Sequence, residues 1–265
     1  MKRTLAFAYA LACYSVFLAT LVYAVGFLGN FGLENAIDAR GTGPVLTALC
    51  VDAMLLTLFA LQHSIMARPW FKRAWTRVIP EPVERSTYVL FSSAALLLLF
   101  WLWRPIDLVI WDGSGTIVRP VLYGLYALGL IIVLLSTFLI NHFDLFGLRQ
   151  AYLYWRKREY VHLEFRTPFF YRYVRHPLYV GWLLTFWCTP VMTAAHLFFA
   201  VMTTAYIFVA IRFEEKDLVA FHGEKYEQYR REVPMIVPSI RPMEPITGAA
   251  DRMAIASASS PAFRS

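Results

Sequence analysis

The feature that most constrains this chain is a set of apolar runs, each close to the length needed to cross a lipid bilayer. A spanning helix takes roughly 20 mostly apolar residues. Four runs meet that length or come near it: Leu5–Leu28, Pro44–Ala67, Thr87–Trp103 and Pro120–Ile140. A fifth, shorter run covers Leu178–Thr189 and a sixth covers Ala194–Ile211, with Pro190 between them. So few polar residues separate the last two that they read as a tight helical hairpin, one that need not cross completely. The composition agrees: 58% of the residues are of the AVILMFWYC set and 16% are charged, against about 25% charged in soluble domains. Such a chain has too little polar surface to cover a soluble globule. The expected fold class is an all-α integral membrane protein with five or six transmembrane helices.

The net charge of +7 raises nucleic acid as a partner, but the placement of the bases argues against it. Arg68, Lys72, Arg73, Arg77 and Arg85 fall between the second and third runs, and Arg149, Arg156, Lys157, Arg158, Arg166, Arg172 and Arg175 between the fourth and fifth. The alternate loops hold only Arg40, Arg104 and Arg119. Basic loops on one side are what the positive-inside rule produces, so both termini are expected in the cytoplasm. Lys2 and Arg3 followed by apolar sequence resemble a secretory leader, yet Leu5–Leu28 is about twice the 7–15 residues of a leader's apolar core. It reads as the first span. Several tryptophans, among them Trp70, Trp101, Trp111 and Trp155, sit near run ends, where an aromatic belt belongs. Cys13, Cys50 and Cys188 lie in apolar stretches without CxxC spacing, so neither a disulfide framework nor a zinc site is expected.

Polar groups at membrane depth are costly and therefore candidates for function. Asp52 lies within the second run and reads as a carboxylate paired to a neighbouring helix or a water pocket. Gln62, His63 and Ser64 arrive at its basic end, and Asn141, His142 and Asp144 follow the fourth run at the same face. Each cluster suits either a site or an ordinary polar helix end. The densest constellation is C-terminal. Arg175-His176-Pro177-Leu178-Tyr179-Val180-Gly181 enters the hairpin, and Arg212-Phe213-Glu214-Glu215 leaves it on the same side. The two stretches should meet in a pocket of His, Tyr, Arg and carboxylates.

At these residues the chain resembles the isoprenylcysteine carboxyl methyltransferase family, which is itself similar to the phospholipid methyltransferases. RHPLYVG and the later EEKDLVAFHGEKYEQYRREVP carry the resemblance over about Tyr171 to Pro238. QHSIMAR at Gln62–Arg68, ERSTYVL at Glu84–Leu90 and NHFDLFGLRQ at Asn141–Gln150 are similar to the NnrU-like branch, and within it to bacterial enzymes that convert methanethiol to dimethyl sulfide. The resemblance implies S-adenosylmethionine (SAM) as methyl donor, bound in cytoplasmic loops by Tyr171, His176, Pro177, Leu178, Tyr179 and Glu214. It also places further contacts at Leu163, Glu164, Phe165 and Arg166, where LEFR departs from the carboxyl methyltransferases. His222 and Met235 depart from the pattern as well, which speaks against recognition of a prenylated protein. A bacterial inner membrane, a small thiol substrate and contact with membrane lipid follow as expectations, with no metal. The spans carry no mark of oligomeric state. One membrane-embedded domain is expected over residues 1–242, with the donor-binding part at about 160–238 and a disordered tail at 243–265.

The residue types suit this chemistry. A sulfonium zwitterion wants a carboxylate near its ammonium, a base near its carboxylate and aromatic faces near its sulfonium; Glu214 or Glu215, Arg175 or His176, and Tyr171 or Tyr179 supply them. Cation–π contact contributes about 0.5–2 kcal/mol. The thiolate is the competent nucleophile, so something must take the thiol proton or hold the anion: His142, Asp144, His63, Tyr179 and Arg175 are the candidates, Arg175 as a stabiliser of the thiolate. Other acceptors in the same class are a prenylcysteine carboxylate or a phospholipid headgroup. A transport or binding role is the alternative outside it.

Overall fold

The computed structural model describes residues 1–41 and 43–244. The tail expected over 243–265 lies, from residue 245 on, outside the described residues. Among the described residues, five helices are long and apolar enough to cross a membrane: α1 (Lys2–Gly29), α2 (Val45–Ala67), α4 (Glu81–Leu102), α5 (Val118–Ile140) and α9 (Ala194–His222). The chain is a multi-pass membrane protein. Between these helices lie α3 (Pro69–Trp75), α6 (His142–Leu145), α7 (Leu148–Trp155), a 3-10 turn at Phe169–Arg172, α8 (Pro177–Trp187) and, after α9, α10 (Glu224–Glu232).

Proline sets several boundaries. Arg68 is extended because Pro69 follows it, which ends α2 and turns the chain into α3. Pro82 and Pro177 occupy first-turn positions of α4 and α8, where a missing N–H has no partner to lose. The spanning helices are apolar around their whole circumference and leave Val22, Leu46, Met54 and Ile131 exposed, as faces turned to lipid would be. Trp70, Trp101 and Trp155 are exposed near helix ends.

α4 packs against both α1 and α2, α9 against α2, and α7 against the start of α1. The start of α1, the end of α2, the start of α4 and the end of α5 share one face with α3, α7 and α10. This is the basic face. A small antiparallel ribbon of β1 (Val109–Asp112) and β2 (Val191–Thr193) ties the opposite, far face together. The periodicity of the sequence does not announce this ribbon, because four residues between spans carry no legible alternation. Asp38 strengthens the same face. Its Oδ1 accepts from the Thr193 backbone N–H (3.0 Å) and hydroxyl (2.7 Å), and its Oδ2 pairs with His196 Nδ1 (2.8 Å) and Asn30 Nδ2 (2.7 Å).

The short fifth run is α8, and its 11 residues reach about 16.5 Å at 1.5 Å each, against roughly 30 Å of hydrocarbon. Extended residues 188–193 carry the chain on to the far face. At its other end α8 begins inside the bundle, since the preceding Tyr171 hydroxyl reaches the Ser136 carbonyl (3.4 Å), a turn short of the end of α5. α8 lies against α5 backbone to backbone: a Cβ on Gly181 would sit 2.6 Å from the Gly129 carbonyl oxygen, and one on Gly129 would sit 2.6 Å from that of Gly181. Small residues at that crossing permit the approach. The expected C-terminal hairpin thus exists with unequal arms, a half-length α8 and the 29-residue α9.

Candidate active site

The recessed start of α8 is held by chain that follows α10. The Arg175 N–H donates to Pro234 O (2.9 Å), the His176 N–H to Met235 O (3.2 Å), and Tyr173 O accepts from the Ser239 N–H (2.8 Å). From α10, the Tyr229 hydroxyl donates to Tyr171 O (2.6 Å). Burial pushes the Tyr171, Tyr226 and Tyr229 phenols above their ordinary range, so they stay protonated, and Tyr171 and Tyr229 act as fixed donors. The juxtaposition of 173–176 with 234–239 positions the motif, and no local pattern in the sequence encodes it.

Within this frame two consecutive carboxylates take different parts. Glu215 Oε1 accepts from Arg175 Nε (2.8 Å) and lies 3.1 Å from His176 Nε2; the Arg175 and Glu215 side chains are each 11% exposed. The other arm of Arg175 donates to the Arg230 and Val233 carbonyls. Arg175 and Glu215 are thus engaged by the protein itself. Glu214 is 44% exposed and its Oε2 lies 4.0 Å from His176 Nδ1. That oxygen accepts from the Tyr179 hydroxyl (3.0 Å), and Oε1 accepts nothing among the described residues. Pro177 is buried beneath this group and Leu178 is half-buried beside it.

Facing this wall is a second polar cluster from α2 and α4. The His63 ring stacks on Phe59 at 5.2 Å, its Nε2 lies 2.9 Å from the Tyr88 hydroxyl and its Nδ1 3.1 Å from Ser92 Oγ. The Tyr206 hydroxyl of α9 meets Ser64 Oγ (3.1 Å), and Arg68 pairs with Asp217 (2.9 Å). Tyr88 and Tyr206 are close enough to Tyr179 to act on it electrostatically. His63, Tyr88, Tyr179, Tyr206 and Glu214 are all partly exposed, and their contacts gather them where α2/α4 face α8/α9, the candidate cleft. Tyr88 and Tyr206 escaped the sequence reading because tyrosine is common near span ends; the signal available for Tyr88 was its place in ERSTYVL.

The remaining candidates fall elsewhere. His142 is buried away from the cleft, between α1 and α5. The Thr137 hydroxyl gives its single proton to Leu134 O (2.7 Å), so it accepts from His142 Nδ1 (2.8 Å), leaving Nε2 to accept from Tyr14 (2.7 Å). Both nitrogens are engaged, and burial holds the ring below its ordinary pKa. Asp144 is a latch: Arg149 reaches its Oδ1 (2.8 Å) and the Tyr160 hydroxyl its Oδ2 (3.3 Å). Phe165 packs on His222, Tyr226 and Tyr229 at 5.0–5.6 Å, whereas Leu163, Glu164 and Arg166 are exposed on the strand of chain that crosses the end of α9. A cavity of about 1160 Å³ opens on the far face near Asp38, Arg40 and Trp103 and holds none of these candidates.

A half-exposed carboxylate beside aromatic faces, fixed by a buried Arg–Glu–His frame, suits a ligand carrying positive charge. The donor set fits a sulfonium zwitterion such as SAM: Glu214 for its ammonium, Tyr179 and Tyr171 for its cationic centre. A profile of the phospholipid methyltransferase family matches residues 121–225, which include RHPLYVG and the Glu214–Glu215 pair but end before Tyr226 and the 234–239 clamp. The chain is 60% identical over 240 residues to the methanethiol S-methyltransferase of Crocosphaera subtropica, covering 91% of this chain and 94% of that protein. It is 50% identical to the enzyme of the same name from Mycobacterium tuberculosis, covering 90% and 98%, and 29% identical to mouse nurim, covering 66% and 69%. No solved structure matches. With identity of this order running through the spans as well as the C-terminal motif, the chain belongs to the methanethiol S-methyltransferase family of membrane methyltransferases.

Proposed function

We propose that this protein methylates methanethiol to dimethyl sulfide with SAM as donor, in the cleft between α2/α4 and α8/α9. The observation that carries the proposal is the half-exposed Glu214 carboxylate beside a locked Arg175–Glu215–His176 frame. SAM, when bound, supplies an electrophilic methyl group on a sulfonium. Glu214 takes the ammonium of that ligand, His176, Pro177, Leu178 and Tyr179 shape its seat, and Tyr171 closes it from below. Residues 163–166 cover the mouth. The thiol gives up its S–H proton, and its sulfur takes the methyl group along the line of the bond being broken. Charge disappears as thiolate meets sulfonium, so a pocket drier than water favours the transition state. Holding the two reactants in line supplies much of the acceleration.

A water-soluble donor, together with the basic loops gathered on one side, supports a basic face in the cytoplasm, with the N-terminus inside and the protein in the bacterial inner membrane. Thiol and sulfide are apolar and exchange through lipid. Residues 1–242 act as one membrane-embedded unit. The test uses membranes carrying the protein, supplied with SAM and methanethiol, with dimethyl sulfide measured in the headspace. Sulfide from the wild type and none from the Glu214→Ala/His176→Ala double variant is expected. A folded, SAM-binding wild type that forms no sulfide would reject the small-thiol acceptor; absence of SAM binding would reject the donor.

A further inference from the structure

On the acceptor side of the cleft the sequence offered Arg175 as the group to hold a thiolate, but the structure commits that guanidinium to Glu215 and two carbonyls. Another cation stands at the opposite wall. Arg85, in the first turns of α4, donates from Nε to Leu145 O (2.9 Å) and lies 5.9 Å from the Tyr88 ring centre. It makes no ion pair among the described residues. The charged and titratable groups near it are His63 and Arg68 at the end of α2, Lys72 of α3, Glu84 and Tyr88 of α4, Asp144 with its partner Arg149, and Tyr160 beyond α7. Lys72 is half-buried and also without an ion pair among the described residues, and burial together with the Arg85 charge lowers its ammonium's pKa. Arg68 is already matched by Asp217. Two cations therefore share one corner with Glu84 and Asp144; Asp144 is matched by Arg149, and Glu84 Oε1 is buried without a hydrogen bond among the described residues. Like charges at close range are unfavourable, and an anion at this corner relieves them. Tyr88, beneath the guanidinium, leads from this corner to Tyr179 and Glu214.

We propose that Arg85 is the anion-holding residue of the acceptor side and contacts the substrate sulfur as a thiolate above Tyr88. This rests on the proposed thiol methylation. The S–H proton passes to water at the cytoplasmic edge of the cleft and the sulfur keeps both electrons of the S–H bond; a lone pair on it forms the new C–S bond as the donor's methyl–sulfonium bond breaks, and that bond's electron pair leaves with S-adenosylhomocysteine.

The test compares Arg85→Gln and Arg85→Lys with wild type in proteoliposomes. Gln keeps a donor for Leu145 O, and thermal unfolding checks that both variants fold. kcat/KM for methanethiol is followed from about pH 6 to about pH 10, and affinity for S-adenosylhomocysteine is measured by calorimetry. An opposite charge nearby shifts an acid by about 1–3 pH units, so Arg85→Gln should lose ~10- to ~1000-fold in kcat/KM at neutral pH and regain it as the medium becomes alkaline. Arg85→Lys should retain most of the activity, and S-adenosylhomocysteine affinity should stay unchanged in both. A wild-type pH profile in Arg85→Gln would overturn the proposal. So would a loss matched by weaker S-adenosylhomocysteine binding, which would assign the cation to the donor. A wild type that binds S-adenosylhomocysteine without forming sulfide would instead sink the thiol reading itself.

Discussion

Glu214 and Glu215 are adjacent in sequence, yet their surroundings predict opposite consequences for the same substitution. Glu215→Ala removes the one acceptor shared by Arg175 Nε and His176 Nε2, where both sides of the Arg–Glu pair are 11% exposed. Deleting one partner of a buried pair costs about 3–5 kcal/mol, because the other charge stays behind without compensation. At about 2–4 °C per kcal/mol for a chain of this size, the melting temperature should fall by about 6–20 °C. Glu214→Ala removes a single hydrogen bond from Tyr179 at a carboxylate that is 44% exposed. That costs about 0.5–1.5 kcal/mol, a drop of less than about 6 °C. The ligand effect runs the other way. Losing a charge-assisted hydrogen bond of about 1.5–3 kcal/mol should weaken SAM or S-adenosylhomocysteine binding ~10- to ~150-fold in Glu214→Ala. The assay is fluorescence-monitored unfolding in detergent with and without S-adenosylhomocysteine, paired with calorimetry. The reasoning is refuted if Glu215→Ala melts within about 2 °C of wild type, or if folded Glu214→Ala binds the ligand as wild type does; the 2 °C margin corresponds to about 1 kcal/mol.

Three other substitutions probe the α5–α8 crossing and two buried polar networks outside the cleft. Gly181→Ala places a Cβ 2.6 Å from the Gly129 carbonyl oxygen and 2.8 Å from Val133 N, so α5 and α8 must separate; unfolding should show a loss of about 1–3 kcal/mol or more, with weaker donor binding as α8 shifts. Burial depresses the His142 pKa, so the folded state binds its proton less readily than the unfolded state, whose value is about 6.5. Stability should therefore be full above about pH 6.5 and decline as pH falls below it, and His142→Gln should flatten that slope in melting curves. Burial alone would raise the Asp38 carboxyl, but its bonds from His196, Thr193 and Asn30 outweigh this and hold it below the usual carboxylate range. Its contribution is present above about pH 3.9 and is lost as pH falls through the lower folded value. Asp38→Ala should loosen residues 30–41, seen as faster proteolysis on the far face.

Much of the architecture was legible because the bilayer imposes one length on every span. The runs Leu5–Leu28, Pro44–Ala67 and Pro120–Ile140 reappear within a few residues as α1, α2 and α5. The stretch RHPLYVG was legible as a site because Arg, His and Tyr at membrane depth need partners, and the carboxylates at the end of α9 were the nearest in topology. What stayed hidden depended on contacts between distant segments. Nothing local at Pro234 or Ser239 announces that their backbones clamp residues 173–176, and a tyrosine at a span end looks the same whether it faces lipid or lines a cleft, as Tyr88 does.

By itself the sequence determined that this chain lives in a membrane, which face carries the basic loops, and which motif to examine. Apolar length, charge placement and residue type are properties of single segments. Only the tertiary structure decided that Arg175 is consumed by Glu215, that Glu214 is left open, that His142 is locked between Tyr14 and Thr137, and that Arg85 has no ion-pair partner among the described residues. Each of these turns on which partner satisfies a buried polar group. That is settled by how helices far apart in sequence pack side by side, since a group taken out of water must find its hydrogen bonds wherever the packing puts them.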